Sequence, residues 1–200
     1  MINFLFPAAG FFLGSIPFGL FIGRAVKGID IREHGSKNIG ATNVFRVVGK
    51  KWGILVFLLD ALKGSVAVCL PAFAFPELKD TPWPLFSGIF SILGHTFSPW
   101  LAFKGGKGVA ASLGVFLTAA PVPAGLTFAL WILVFAAIHI ISAASLAAAL
   151  AFPLVCFLTA RHTPLFPSLF PVSLLLMVFI FYTHRANLAR LRKGEEKRLF

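Results

Sequence analysis

Apolar residues run along this chain in long blocks with short polar interruptions. Seven blocks stand out, at about residues 2–23, 52–75, 84–102, 108–120, 124–141, 143–160 and 168–183. None alternates with period two, so the blocks predict helices and not barrel strands. Most approach the roughly 20 residues a helix needs to cross the hydrocarbon core of a bilayer. The fourth is short, stops at Pro121-Val122-Pro123, and fits a half-span or a full crossing. The first carries Gly10, Gly14, Gly19 and Gly23 around Pro17, a small-xxx-small spacing that suits close helix approach. The expected architecture is all-α: one polytopic membrane domain over residues 1–200, with seven transmembrane helices, some of them short.

Composition agrees. The chain is 58% hydrophobic and only 12% charged, about half the charged share of a soluble domain. The formal net charge of +11 would suggest nucleic acid as partner of a soluble protein. Here the distribution of charge explains most of it, and no nucleic-acid partner is expected. With the N-terminus outside, the stretches 24–51, 103–107, 141–143 and 184–200 fall on the cytoplasmic side and hold nearly all the Lys and Arg. Lys79 and Arg161 are the cations left for the other side. Seven crossings thus put the C-terminus in the cytoplasm. The first basic residue, Arg24, follows the first block, which therefore lacks the basic lead-in of a cleaved signal and is expected to remain a helix. Cys69 and Cys156 lie within apolar blocks and read as small packing residues.

Three polar stretches share the expected cytoplasmic face. HGSKNIGATNVFRVVGK, residues 34–50, is too rich in Gly, Ser, Thr and Asn for a plain connector. Ser36, Asn38, Gly40, Ala41, Thr42 and Asn43 offer hydroxyl, amide and backbone groups to a phosphate, and Arg46 adds a planar fork suited to the same ligand. A capped helix start would produce a similar pattern. FKGGKGVA, residues 103–110, sets Lys104 and Lys107 among Gly105, Gly106 and Gly108. Successive glycine N–H groups can form an anion nest, and a helix starting near Gly108 adds its positive end. The order of residues is not that of a Walker A loop. THRANLARLRKGEEKRLF, residues 183–200, brings His184 and Asn187 at helical spacing, with Glu195 and Glu196 in an otherwise basic tail that also suits a lipid surface.

At membrane depth, Asp60 and Lys63 are three residues apart and can pair on one helix face. His95 precedes the glycine stretch and reads as an interior histidine; Ser142 and Ser145 sit at a helix junction, as caps or facing the same pocket. No His, Cys and carboxylate spacing predicts a metal.

Taken together, GSKNIGATNVFR (35–46), GHTFSPWLAFKGGKGVA (94–110) and HRANLARLRKGEE (184–196) resemble the three motifs of the bacterial acyl-phosphate:glycerol-3-phosphate acyltransferases, the PlsY family. LLDALKG (58–64) and the order of spans resemble it too. Lys37 departs from a position where that family often has glycine, and residues 141–145 match its serine-bearing turn only loosely. The resemblance implies acyl transfer from acyl phosphate to the 1-hydroxyl of glycerol 3-phosphate, giving lysophosphatidic acid and phosphate, the first step of phospholipid biosynthesis. It implies no CoA, no acyl carrier protein and no cofactor, and a multi-pass protein of the bacterial inner membrane, its site on the cytoplasmic face. A monomer suits this reading. It further implies activity roles for Ser36, Arg46, His184 and Asn187, glycerol 3-phosphate binding by Lys104, Gly105, Gly106, Lys107 and Gly108, and a supporting role for Glu195. Ser142 joins the phosphate-binding set, and Asp60, Lys63 and His95 the support. An organophosphate transporter or channel is the competing reading, since glycine-broken helices near basic residues also occur there.

Overall fold

A computed structural model describes residues 4–200; residues 2 and 3 of the first apolar block lie outside the described residues. The described chain is helical, with no strand among the described residues. Among the described residues, five stretches are long and apolar enough to cross a membrane: Leu5–Lys27, Lys50–Ala74, Pro121–Ile138, Ile141–Ala160 and Phe166–Thr183. Their outer faces expose leucines such as Leu58, Leu62, Leu133 and Leu175, each more than half accessible. Apolar cover on that scale suits hydrocarbon and not water. The chain divides into two compact units, Met1–Ala119 and Ala120–Phe200.

In the first unit, the leading apolar block is two helices, α1 (Leu5–Gly14) and α2 (Phe18–Lys27), with a break at Ser15–Pro17. Pro17 has no N–H to continue the ladder, and the break turns the Ile16 carbonyl to an outside donor, the Lys63 ammonium, at 2.9 Å. A short helix α3 (Ala41–Val47) leads into the long α4 (Lys50–Ala74), then α5 (Trp83–Thr96) and α6 (Val109–Ala119). The third apolar block therefore ends its helix at Thr96, earlier than the expected 102. α1 packs on α5 without side chains between them: a Cβ on Gly14 would strike the Ser91 backbone, and one on Gly94 the Phe11 carbonyl. α4 and α6 meet in the same way at Gly64 and Gly114. Small residues at such crossings let backbones approach where no hydrophobic drive operates between helices.

The polar segment before α3 is anchored by an apolar plug. Ile31, Ile39 and Val44 are buried with Leu20, Val48, Val56 and Leu101. Asp30 opens the turn Ile31–Glu33 by accepting from the Arg32 N–H at 3.0 Å. Its carboxylate also receives the Arg32 guanidinium at 2.6 Å and that of Arg24 at 3.2 Å. The Arg32 hydrogen bonds hold the Asp30 carboxyl well below the usual carboxylate range.

The second unit stacks α7 (Pro121–Ile138), α8 (Ile141–Ala160) and α9 (Phe166–Thr183), followed by α10 (Arg185–Arg192). Proline at the start of α7 costs nothing, because the first N–H groups of a helix have no internal acceptor. α7 ends at His139 in the left-handed region (φ 58°), and α8 begins two residues later. Trp131 on α7 donates its indole N–H to Ser145 on α8 at 3.1 Å. The last residues return to this corner: the Leu199 N–H donates to the His139 carbonyl at 2.8 Å, and the Phe200 ring packs edge-on against His139.

Candidate functional site

The first two polar stretches meet in the first unit. The Asn38 side chain joins them: its amide nitrogen donates to the Gly105 carbonyl at 3.2 Å, and its oxygen accepts from the Gly40 N–H at 2.9 Å. Asn43 is the strut of the first loop and is 1% exposed. Its oxygen accepts from the Ser36 N–H at 2.8 Å, and its nitrogen donates to the carbonyls of Ile31, His34 and Asn38. This corrects two expectations drawn from the sequence. Asn43 spends its side chain inside the loop, and the Gly40 N–H is taken by Asn38, so neither group is offered to a ligand. The Ser36 hydroxyl and the Arg46 guanidinium stand on exposed residues of this loop and of α3. Ala41 and Thr42 open α3, where first-turn N–H groups have no acceptor in the helix's own ladder.

Lys37 holds a left-handed backbone, φ 56°, without being glycine. That conformation costs an L-residue about 1–2 kcal/mol. Lys37→Gly is therefore expected to raise stability by about 0.5–1 kcal/mol after glycine's added unfolded-state entropy. Thermal unfolding in detergent measures it, and a fall in stability would contradict the backbone reading.

The glycine stretch also differs from the expected anion nest. The Gly105 N–H donates to the Thr96 carbonyl at 2.9 Å and the Gly106 N–H to the His95 carbonyl at 3.0 Å. The N–H groups of Phe103 and Lys104 bond Ser98 and Leu101. The last carbonyls of a helix lack partners of their own, and these glycines supply two for α5. They must be glycines because a Cβ on Gly105 would meet the His95 and Thr96 carbonyls, and one on Gly106 the His95 ring. Anion-binding capacity in this stretch thus rests on Lys104, Lys107 and the start of α6. Gly108, at φ 86°, turns the chain into α6, and its carbonyl accepts from Ser112 at 2.8 Å. The N–H groups of Val109 and Ala110, which sequence reasoning did not single out, follow at the helix's positive end.

Beneath the loop lies a buried ionic cluster. The Lys63 ammonium pairs with Asp60 at 2.7 Å, as their spacing predicts, and with His95 Nδ1 at 3.0 Å.

In the second unit, His184 is 3% and Asn187 5% exposed. His184 Nδ1 lies 2.9 Å from the Ile180 carbonyl. A carbonyl only accepts, so Nδ1 carries the proton, and in the neutral ring Nε2 holds the lone pair. The Asn187 amide donates to Glu196 at 2.5 Å, the Ser142 hydroxyl to the same oxygen at 2.8 Å, and Arg190 to the other oxygen at 2.6 Å. Burial alone would raise the Glu196 carboxyl; the bonds from Arg190, Asn187 and Ser142 outweigh it and hold the group below its ordinary value. The supporting carboxylate is thus Glu196. Glu195, to which the family resemblance gave that role, is exposed, and its backbone N–H closes α10 on the Arg190 carbonyl. Ser142 likewise serves Glu196 here. Among the described residues, no three His, Cys, Asp or Glu side chains gather in a metal-holding group.

Comparison with known proteins covers nearly the whole chain. A family model described as glycerol-3-phosphate acyltransferase matches residues 4–194. A glycerol-3-phosphate acyltransferase of Fusobacterium nucleatum is 41% identical over 99% of this chain and 98% of its own length. One from a Synechococcus strain is 44% identical over 95% of this chain and 91% of its own. Two crystal structures of PlsY (YgiH), an integral membrane glycerol 3-phosphate acyltransferase, superpose with TM-scores of 0.88 and 0.86. Each is 36% identical and covers 99% of this chain, against 96% and 95% of that protein; one is the glycerol 3-phosphate form, the other the lysophosphatidic acid form.

Proposed function

Because this chain belongs to the glycerol-3-phosphate acyltransferase family, we propose that it transfers a fatty acyl group from acyl phosphate to the 1-hydroxyl of glycerol 3-phosphate. The products are lysophosphatidic acid and phosphate. The observation that carries the reading is the Asn38–Gly105 junction. It joins the loop bearing Ser36, which runs on into α3 with Arg46, to the loop bearing Lys104, so that two phosphate-suited stretches form one polar surface on an apolar helix bundle.

In this reading Ser36 and the N–H groups of Ala41 and Thr42 hold the acyl-phosphate head. Lys104, Lys107, Arg46 and the opening of α6 hold the phosphate of glycerol 3-phosphate, and His184 and Asn187 are the residues of the second unit proposed to serve activity. The 1-hydroxyl oxygen attacks the acyl carbon, the bond from that carbon to the phosphate oxygen breaks, and phosphate leaves with the electron pair. Phosphate is a good leaving group, so no acyl-enzyme, CoA or acyl carrier protein is needed, and the step balances without a cofactor. Alignment of two bound reactants can supply about 7–11 kcal/mol in well-oriented cases. A substrate phosphate oxygen takes the hydroxyl proton.

The membrane arrangement proposed with it has seven crossings, the shorter α5 and α6 joining the five long spans. The N-terminus lies outside, and the polar loops and C-terminus lie at the cytoplasmic face of a bacterial inner membrane. The asymmetry of Lys and Arg supports this orientation. The 200 residues act as one acyltransferase domain, as a monomer.

The test against a transporter uses the protein in lipid vesicles with labelled glycerol 3-phosphate and palmitoyl phosphate. Label appearing in lysophosphatidic acid is the expected result. Label accumulating unchanged inside the vesicles would overturn the reading.

A further inference from the structure

Lys63, Asp60 and His95 are each 3% exposed, on helices that otherwise present hydrocarbon. Charged groups at membrane depth are expensive and are kept where they do something. The reaction proposed above uses none of the three.

Their geometry shows what they touch. The three donors of the Lys63 ammonium have three acceptors: Asp60 Oδ1 at 2.7 Å, the Ile16 carbonyl at 2.9 Å and His95 Nδ1 at 3.0 Å. An ammonium has no acceptor capacity, so Nδ1 takes its hydrogen bond on a lone pair. The same nitrogen lies 3.5 Å from Asp60 Oδ1, so the ion pair holds the imidazole in position from two sides. The Nε2 edge lies against Gly106, where it occupies the space that a Cβ would take. The loop is held to the same residue from above: the Gly106 N–H donates to the His95 carbonyl. One residue thus meets the loop through its ring and its backbone, and its ring is immobilised by a buried ion pair. Lys104 and Lys107 flank the two glycines that rest there.

We propose that the Asp60–Lys63–His95 cluster is a positioning device for the glycine loop, with the His95 imidazole as the platform on which Gly106 rests and from which Lys104 and Lys107 are aimed at the phosphate of glycerol 3-phosphate. The proposal rests on the reading that this loop holds that phosphate. The cluster touches no substrate and acts through the loop. It explains why α4 and α5 carry ionic groups at a depth where apolar packing is ordinarily cheaper. It also explains the glycine at 106 independently of any anion nest.

The fit is testable by size compensation. Gly106→Ala adds a methyl where the ring stands. His95→Asn removes the Nε2 edge while its side-chain oxygen can replace Nδ1 as acceptor for Lys63. Gly106→Ala is expected to raise the KM for glycerol 3-phosphate about 10-fold or more, with the KM for palmitoyl phosphate within about 2-fold. The double variant Gly106→Ala/His95→Asn is expected to return the glycerol 3-phosphate KM to within about 3-fold of the parent. Failure of the second change to restore it, in variants with matching thermal unfolding, would overturn the platform and leave the loop's phosphate role standing. Parental constants in Gly106→Ala would remove the phosphate role of the loop, and the proposal with it. Should Gly106→Ala not fold, His95→Asn alone decides: a rise of about 3-fold or more confined to the glycerol 3-phosphate KM supports the platform, and unchanged constants overturn it.

Discussion

Asp60→Ala is expected to destabilise the protein by about 3–5 kcal/mol, the cost of removing one partner from a buried ion pair. The Asp60 and Lys63 side chains are 4% and 2% exposed. Removal of the carboxylate leaves the ammonium with a carbonyl and an imidazole but without a counter-charge. Inside a helix bundle in hydrocarbon there is no water to replace it. The double change Asp60→Leu/Lys63→Met removes the stranded charge as well, and should cost less than the single one by at least about 2 kcal/mol. Unfolding in mixed micelles, followed by loss of helicity, measures both. A single variant within about 1 kcal/mol of the parent would show that the pair is not what holds α4 to the break between α1 and α2.

Glu196→Ala is expected to cost about 2–4 kcal/mol of stability, because three hydrogen bonds to an ionised acceptor vanish together. Ser142 on α8 and Asn187 and Arg190 on α10 all converge on this one carboxylate. Without it the Asn187 amide loses the partner that fixes its rotamer, and kcat/KM should fall about 100-fold if Asn187 binds substrate. The dependence on pH has a definite sign. The folded-state carboxyl sits below its ordinary value, so its contribution is complete above the unfolded pKa of about 4.3 and is lost as pH falls through the folded value. The variant should lack that acid-side loss. Glu195→Ala is the control, expected within about 0.5 kcal/mol of the parent because the side chain is exposed. A larger effect at Glu195 than at Glu196 would contradict the geometry.

The helices were legible in the sequence because hydrophobicity over 18–25 residues is a local property, and the spans Lys50–Ala74, Pro121–Ile138, Ile141–Ala160 and Phe166–Thr183 lie close to the apolar blocks. Pro17 marks the break of the first block but does not by itself predict two helices, because a proline also occurs unbroken within α4 at Pro71. What decides is a donor from elsewhere, and Lys63 stands 47 positions from the Ile16 carbonyl it bonds. The first loop and the glycine stretch were legible as polar centres, but not the division of labour within them. Asn43 and Asn38 have the same chemistry in sequence; only the folded loop turns one wholly inward. Gly105 and Gly106 read as a nest for an anion, and the carbonyls of His95 and Thr96 claim their N–H groups instead. Glu195 and Glu196 are neighbours whose roles are separated by the turn after α10, with Gly194 at φ 71°. That turn brings one carboxylate to Ser142, 54 positions away, a contact no local pattern encodes.

The central claim is the identity of the acyl donor. Purified protein in lipid, given glycerol 3-phosphate with either palmitoyl phosphate or palmitoyl-CoA, tests it by following lysophosphatidic acid and released phosphate together. Equal amounts of the two products are expected from palmitoyl phosphate and none from palmitoyl-CoA. Product from palmitoyl-CoA with none from palmitoyl phosphate would contradict it.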